Sequence, residues 1–100
     1  MFGNLFGSKP AIEISADTVL IDVRSPAEFN GGHVKGAKNW PLDQLATILP
    51  KNGNLKDRPV VVYCASGGRS SAALSLFTRA GFTTVSNGGG IHSLAHLGIE

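Results

Sequence analysis

Val60, Val61, Val62 and Tyr63 form an unbroken β-branched and aromatic run, the pattern of a strand buried on both faces. Beyond it Ala72, Ala73, Leu74, Leu76, Phe77 and Ala80 recur at helical spacing, and Gly81 supplies a stop. The same reading along the rest of the chain predicts a short edge strand over residues 11–14, a turn over 15–18 and a second strand over 19–23. Ser25, Pro26 and Glu28 stand as N-cap, first helical residue and capping-box partner of a short helix that Asn30, Gly31 and Gly32 end. A peripheral strand is expected over 37–40. A helix launched by Pro41 and Asp43, with Leu45, Ile48 and Leu49 on one face, is expected to end at Pro50. Residues 51–59 read as a surface connection, 82–85 as a fifth strand, Gly88, Gly89 and Gly90 as a flexible loop and 91–97 as a closing helix. Strands alternating with helices specify an α/β domain of three layers over residues 11–100. Residues 1–10 form an N-terminal extension, whose Phe2, Leu5 and Phe6 suit one docked helical turn.

One hundred residues suffice for a single core. A hydrophobic content of 42% and a charged content of 16% are those of a globular domain, and a net charge of +2 gives no basis for nucleic-acid binding. No apolar run has the roughly 20 residues of a membrane span, and the N-terminus lacks the pattern of a signal peptide. With one cysteine no intramolecular disulfide is possible; a free thiol is best kept in a reducing compartment, so a cytoplasmic location is expected. The expected state is a monomer.

Cys64 sits where the central strand ends and the loop Ala65, Ser66, Gly67, Gly68, Arg69, Ser70 begins. In open α/β sheets this end of a strand is where ligands bind. Two glycines let successive N–H groups turn inward, the following helix start favours negative charge, and Arg69 offers a planar fork suited to an oxyanion. Such surroundings stabilise a thiolate, and Arg69 is expected to help lower the Cys64 pKa. An inert buried cysteine would need none of these neighbours. Asp22, near the end of the second strand, reads as a structural acceptor paired with Arg24, and His33 as a hydrogen-bonded structural group. His92 and His96, four apart, share a face if helical, yet they lack an acidic or cysteine companion in sequence, so no metal and no cofactor is expected.

The segment from Cys64 to Ser70 resembles the active-site loop of the rhodanese family, in which Cys, two variable residues, Gly, one variable residue, Arg and Ser follow one another. A second likeness runs from Leu20 through Asp22, Val23, Arg24 and Glu28 to Phe29 and on through Gly32, His33, Val34, Gly36 and Ala37. The resemblance implies a rhodanese-like domain with a mostly parallel five-stranded sheet, and a thiosulfate sulfurtransferase that works through a Cys64 persulfide. It assigns the donor anion to Arg69 and to the backbone of Ala65, Ser66, Gly67, Gly68 and Ser70. Implied partners are a small anionic sulfur donor such as thiosulfate and an acceptor, either cyanide or a thiol, the latter a thioredoxin-like protein or a low-molecular-weight thiol. Two departures from the family stand out: no helix fits between the first two strands, and Ile91 occupies the place where relatives commonly carry Trp. Two rivals are a rhodanese-like phosphatase and a non-catalytic sulfur carrier or protein-binding module. Against the first, the loop from Cys64 to Arg69 has six residues, one fewer than in the phosphatases that resemble it.

Overall fold

The computed structural model describes residues 14–100. Four strands form one parallel sheet in the order β2, β1, β3, β4, where β1 is Val19–Asp22, β2 Lys38–Asn39, β3 Val60–Cys64 and β4 Val85–Gly90. Parallel pairing demands crossovers, and helical segments supply them. These are α1 (Pro26–Asn30), α2 (Leu45–Ile48) between 3-10 segments at Leu42–Gln44 and Leu49–Leu55, α3 (Gly68–Arg79), and a 3-10 segment at Ile91–Leu97. Every residue of β1 and β3 is buried, as expected of strands covered on both faces.

Two apolar layers flank the sheet. On one face Ile21, Val60 and Val62 pack with Leu45, Ala73, Phe77 and Phe82, the rings of Phe77 and Phe82 meeting edge to face at 5.1 Å. Trp40 belongs to this layer, stacked 6.2 Å from Phe77. On the other face Leu20, Val61 and Tyr63 pack with Val34 and Leu94, and Ile91 joins them.

Several expectations need correction. The predicted fifth strand over 82–85 is shifted: the strand begins at Val85 and takes in Gly88, Gly89 and Gly90, which were expected to be a loop. A bulge at Gly88 makes this possible, since Val62 pairs with Asn87 but Tyr63 pairs with Gly89. The α-helix ends at Ile48 with Leu49 as its cap, just before Pro50 as expected, but the chain does not go straight into a loop: Pro50 falls in the first turn of the 3-10 segment Leu49–Leu55, where proline's missing N–H has no role, and that segment kinks at Asn52. The closing helix is of 3-10 type, so His92 and His96 are about a third of a turn apart rather than on one face. The expected strand over 11–14 and the docked turn of Phe2, Leu5 and Phe6 lie outside the described residues, apart from Ile14, which is not in a strand. The turn over 15–18 is present, closed by Thr18 N–H donating to Ser15 O at 3.1 Å.

Candidate active site

The carboxyl ends of β1 and β3 lie side by side, Asp22 opposite Tyr63. Asp22 is fully buried and accepts from the Arg24 backbone N–H at 2.8 Å and from its Nη2 at 2.7 Å, while Arg24 Nη2 also donates to Gly32 O at 2.6 Å. Arg24 lies over the Tyr63 ring, 5.8 Å from its centre, and the Tyr63 hydroxyl accepts from Val34 N–H at 2.9 Å. Burial pushes the Tyr63 hydroxyl up to about 12. His33 stacks on Phe29 at 3.7 Å and its Nδ1 lies 3.0 Å from Phe29 O. Asp22, Arg24 and His33 are held by these contacts, and none of their hydrogen bonds reaches the thiol.

Cys64 ends β3 with its side chain buried. Gly67, with φ of 102°, takes the left-handed conformation that turns the chain back over the sulfur and starts α3. Its N–H donates to Sγ at 2.9 Å, and the Ser70 N–H donates at 3.4 Å. Burial raises the Cys64 pKa, but the Ser70 hydroxyl and the N–H groups of Ser70, Ser66 and Gly67 outweigh it, bringing the thiol down to about 7. Of these donors the backbone groups are the dependable ones. Ser70 Oγ lies 3.5 Å from Sγ and 2.6 Å from Asn87 Oδ1, so its single proton is committed to the amide.

Asn87 is the residue that sequence reasoning missed. Its Oδ1 accepts from Ser70 Oγ and, at 2.8 Å, from Gly89 N–H, and its Nδ2 donates to Gly67 O at 3.4 Å. One amide therefore ties the start of α3 and the active loop to β4. The glycines beside it let the loop lie flat on the strand: a Cβ on Gly90 would stand 2.5 Å from Ala65 O, and one on Gly67 would touch Gly89 at 3.6 Å. Ala65, Ser66 and Gly68 are exposed above this floor.

Arg69 departs from expectation. Its Nη1 and Nη2 donate to Glu28 Oε1 at 2.7 Å and Oε2 at 2.9 Å, so a carboxylate neutralises the charge assigned to lowering the Cys64 pKa. The Arg69 guanidinium and the Ser25 N–H in turn hold Glu28 down at about 2. Glu28 doubles as the capping partner of Ser25, whose N–H and Oγ each donate to Oε1 at 3.1 Å. Arg69 forms one wall of an open cleft of about 420 Å³ with Val23, Ser25, Pro41, Leu42 and Asp43, large enough for a small organic molecule. The loop therefore joins a thiol held by N–H donors at a helix start to Arg69, which walls the cleft. Such a set can perform nucleophilic attack on a small anion. Among the described residues no group of three His, Cys, Asp or Glu side chains converges as a metal site would require, and no helix is long and apolar enough to cross a membrane.

Comparison with known proteins agrees with the geometry. The chain is 46% identical over 68 residues to the Bacillus subtilis protein YqhL, covering 68% of this chain and 52% of that one, so it spans about half the length of that relative. It is 38% identical to the thiosulfate sulfurtransferase PspE of Escherichia coli, over 75% of this chain and 72% of PspE. A solved structure described as a rhodanese with anions from E. coli superposes with a TM-score of 0.75 at 32% identity, covering 83% of this chain and 96% of that one. Residues 10–94 match the family model of the rhodanese-like domain, and the chain belongs to that family.

Proposed function

We propose that the protein is a sulfurtransferase that carries sulfane sulfur on Cys64. The observation that carries this reading is the Cys64 Sγ, buried at the end of β3 with N–H donors from Gly67 and Ser70 already aimed at it. The thiolate attacks the outer sulfur of thiosulfate. A bond forms between Sγ and that sulfur, the sulfur–sulfur bond of the donor breaks with its electron pair leaving on sulfite, and Cys64 is left as a persulfide anion. Cyanide, or in the cell a thiol of a small molecule or a thioredoxin-like protein, then takes the terminal sulfur and returns the thiolate. No oxidant enters either half. The negative charge passes from Sγ to the terminal sulfur, one bond further out, where the N–H groups of the loop Ala65–Ser70 hold it without reorganising. Two of the five N–H groups of Arg69 are taken by Glu28, and those remaining are available to the sulfonate end of the donor.

The six-residue span from Cys64 to Arg69 fits a single sulfur above the nucleophile better than the three oxygens of a phosphate. Ser70, the hydroxyl nearest the thiol, has its proton on Asn87 and is not free to protonate a leaving alcohol. Initial rates measured against thiosulfate and cyanide should give the parallel double-reciprocal lines of a ping-pong reaction, with no hydrolysis of an aryl phosphate. Robust phosphatase turnover dependent on Cys64 would overturn the assignment. Persulfide formation without turnover to any small acceptor would favour the carrier reading.

A further inference from the structure

The pair formed by Glu28 and Arg69 has a consequence for which sulfur compounds the site prefers, and it rests on the sulfurtransferase reading. Arg69 is the cation of the cleft wall, and both of its terminal nitrogens are engaged in parallel bonds of 2.7 and 2.9 Å to one carboxylate. That carboxylate is not free to swing away. Ser25 grips Oε1 through its N–H and hydroxyl, and Glu28 N–H donates back to Ser25 Oγ at 3.2 Å. Asp43 adds a carboxylate to the lining of the cleft. The one guanidinium of the wall is thus set against the Glu28 carboxylate that pairs with it and the Asp43 carboxylate of the lining, and the attacking thiolate is itself negative. An entering anion finds directed N–H groups but no net positive charge.

We infer that Glu28 is a specificity-determining residue, whose carboxylate discharges Arg69 and so tunes the site toward sulfane-sulfur donors of single negative charge and against dianions. A thiosulfonate anion belongs to the favoured class. Its outer sulfur bonds to Sγ, its sulfur–sulfur bond breaks, and the electron pair departs on a sulfinate, so that total charge is conserved and no further reagent is consumed. Glu28 repels a dianion twice as strongly as a monoanion at the same place, because the Coulomb energy scales with the product of the charges. Arg69 keeps N–H groups for orienting the oxygens of either donor.

The test compares thiosulfate with methanethiosulfonate, each with cyanide as acceptor, in the unmodified protein and in Glu28→Gln. Glutamine retains an oxygen for the Ser25 N–H and removes the charge, together with the acceptor of Arg69 Nη2. Comparing the ratio of kcat/KM for thiosulfate to that for methanethiosulfonate between the two proteins cancels intrinsic differences between the donors. The ratio should rise by about five- to tenfold in the variant, with most of the change in the KM for thiosulfate. A ratio that stays within about twofold or falls, including an equal loss with both donors, would show that Glu28 only positions Arg69 and would overturn the inference. Should the variant not fold, the unmodified protein still puts the inference at risk: raising ionic strength screens the carboxylate along with the thiolate and should lift the ratio, and a flat or falling ratio contradicts the inference. Failure of the sulfurtransferase reading itself is distinct, since neither donor would then load Cys64 with sulfur.

Discussion

Two neighbouring arginines pair with carboxylates in this small domain, and their surroundings make them serve different ends. Arg24 and Asp22 are both buried at the end of β1, their side chains 9% and 0% exposed, and their hydrogen bonds go to each other and to the chain at Gly32. Arg69 and Glu28 make an equally short contact, yet stand 39% and 34% exposed, with Arg69 in the wall of the cleft. A buried pair whose partners are satisfied fixes a corner of the fold, since removing either member strands a charge. A half-exposed pair contributes little to stability, and what it changes is the field met by an arriving anion. The same contrast holds for the ends of β1 and β3. Asp22 is fully used by Arg24, whereas Cys64 is held by donors that stabilise its charge and leave the sulfur reactive.

Changes at the two regions should therefore be read out differently. The largest loss of stability is expected from Asp22→Ala, which leaves Arg24 buried without its partner and should cost about 3–5 kcal/mol in urea unfolding. A loss below about 1 kcal/mol would erase the distinction between the two pairs. Gly90→Ala drives a methyl group against Ala65 O and must lift the active loop. Sulfur transfer should fall by about 100-fold through misplaced donors, and a variant of unchanged activity would show that the loop does not need this floor. The thiol adds a pH dependence. Its folded pKa, about 7, is lower than the value of about 8.5 expected in the unfolded chain, so the stabilisation is complete above about 8.5, declines as pH falls, and is gone below about 7. The difference in unfolding free energy between the unmodified protein and Cys64→Ala should accordingly grow by about 2 kcal/mol across that window, and a difference independent of pH would contradict it. The smallest effect is expected from Asn87→Ala, about 1 kcal/mol of stability with about a tenfold lower kcat, as the tie between Gly67, Ser70 and β4 is lost. Loss of stability with kcat intact would make Asn87 a structural residue only.

What the sequence showed of this arrangement depended on how local each feature is. The thiol, its glycines and the helix start lie within a few consecutive residues, and their chemistry follows from strand-end geometry. The pairing of Asp22 with Arg24 spans two positions and was equally plain. Arg69 and Glu28 are 41 residues apart, and Glu28 was legible only as the capping partner of Ser25. Asn87 reaches the loop across 17 and 20 residues, a contact that no spacing rule reveals, although an Asn immediately before a glycine run facing the cysteine strand was an available signal. The glycine run itself misled because glycine is scarce in strands; here the strand needs it, for the bulge at Gly88 and for the close approach of Ala65. Pro50 marked the end of the α-helix correctly but hid the 3-10 segment that follows, because proline is tolerated in a first turn.

The central claim, that Cys64 carries the sulfur as a covalent persulfide, is tested most directly by intact-protein mass spectrometry after incubation with thiosulfate and again after addition of cyanide. One sulfur atom should be gained by the unmodified protein and lost to cyanide, while Cys64→Ser should gain none. An unchanged mass in the unmodified protein, or sulfur uptake by the serine variant, would contradict it.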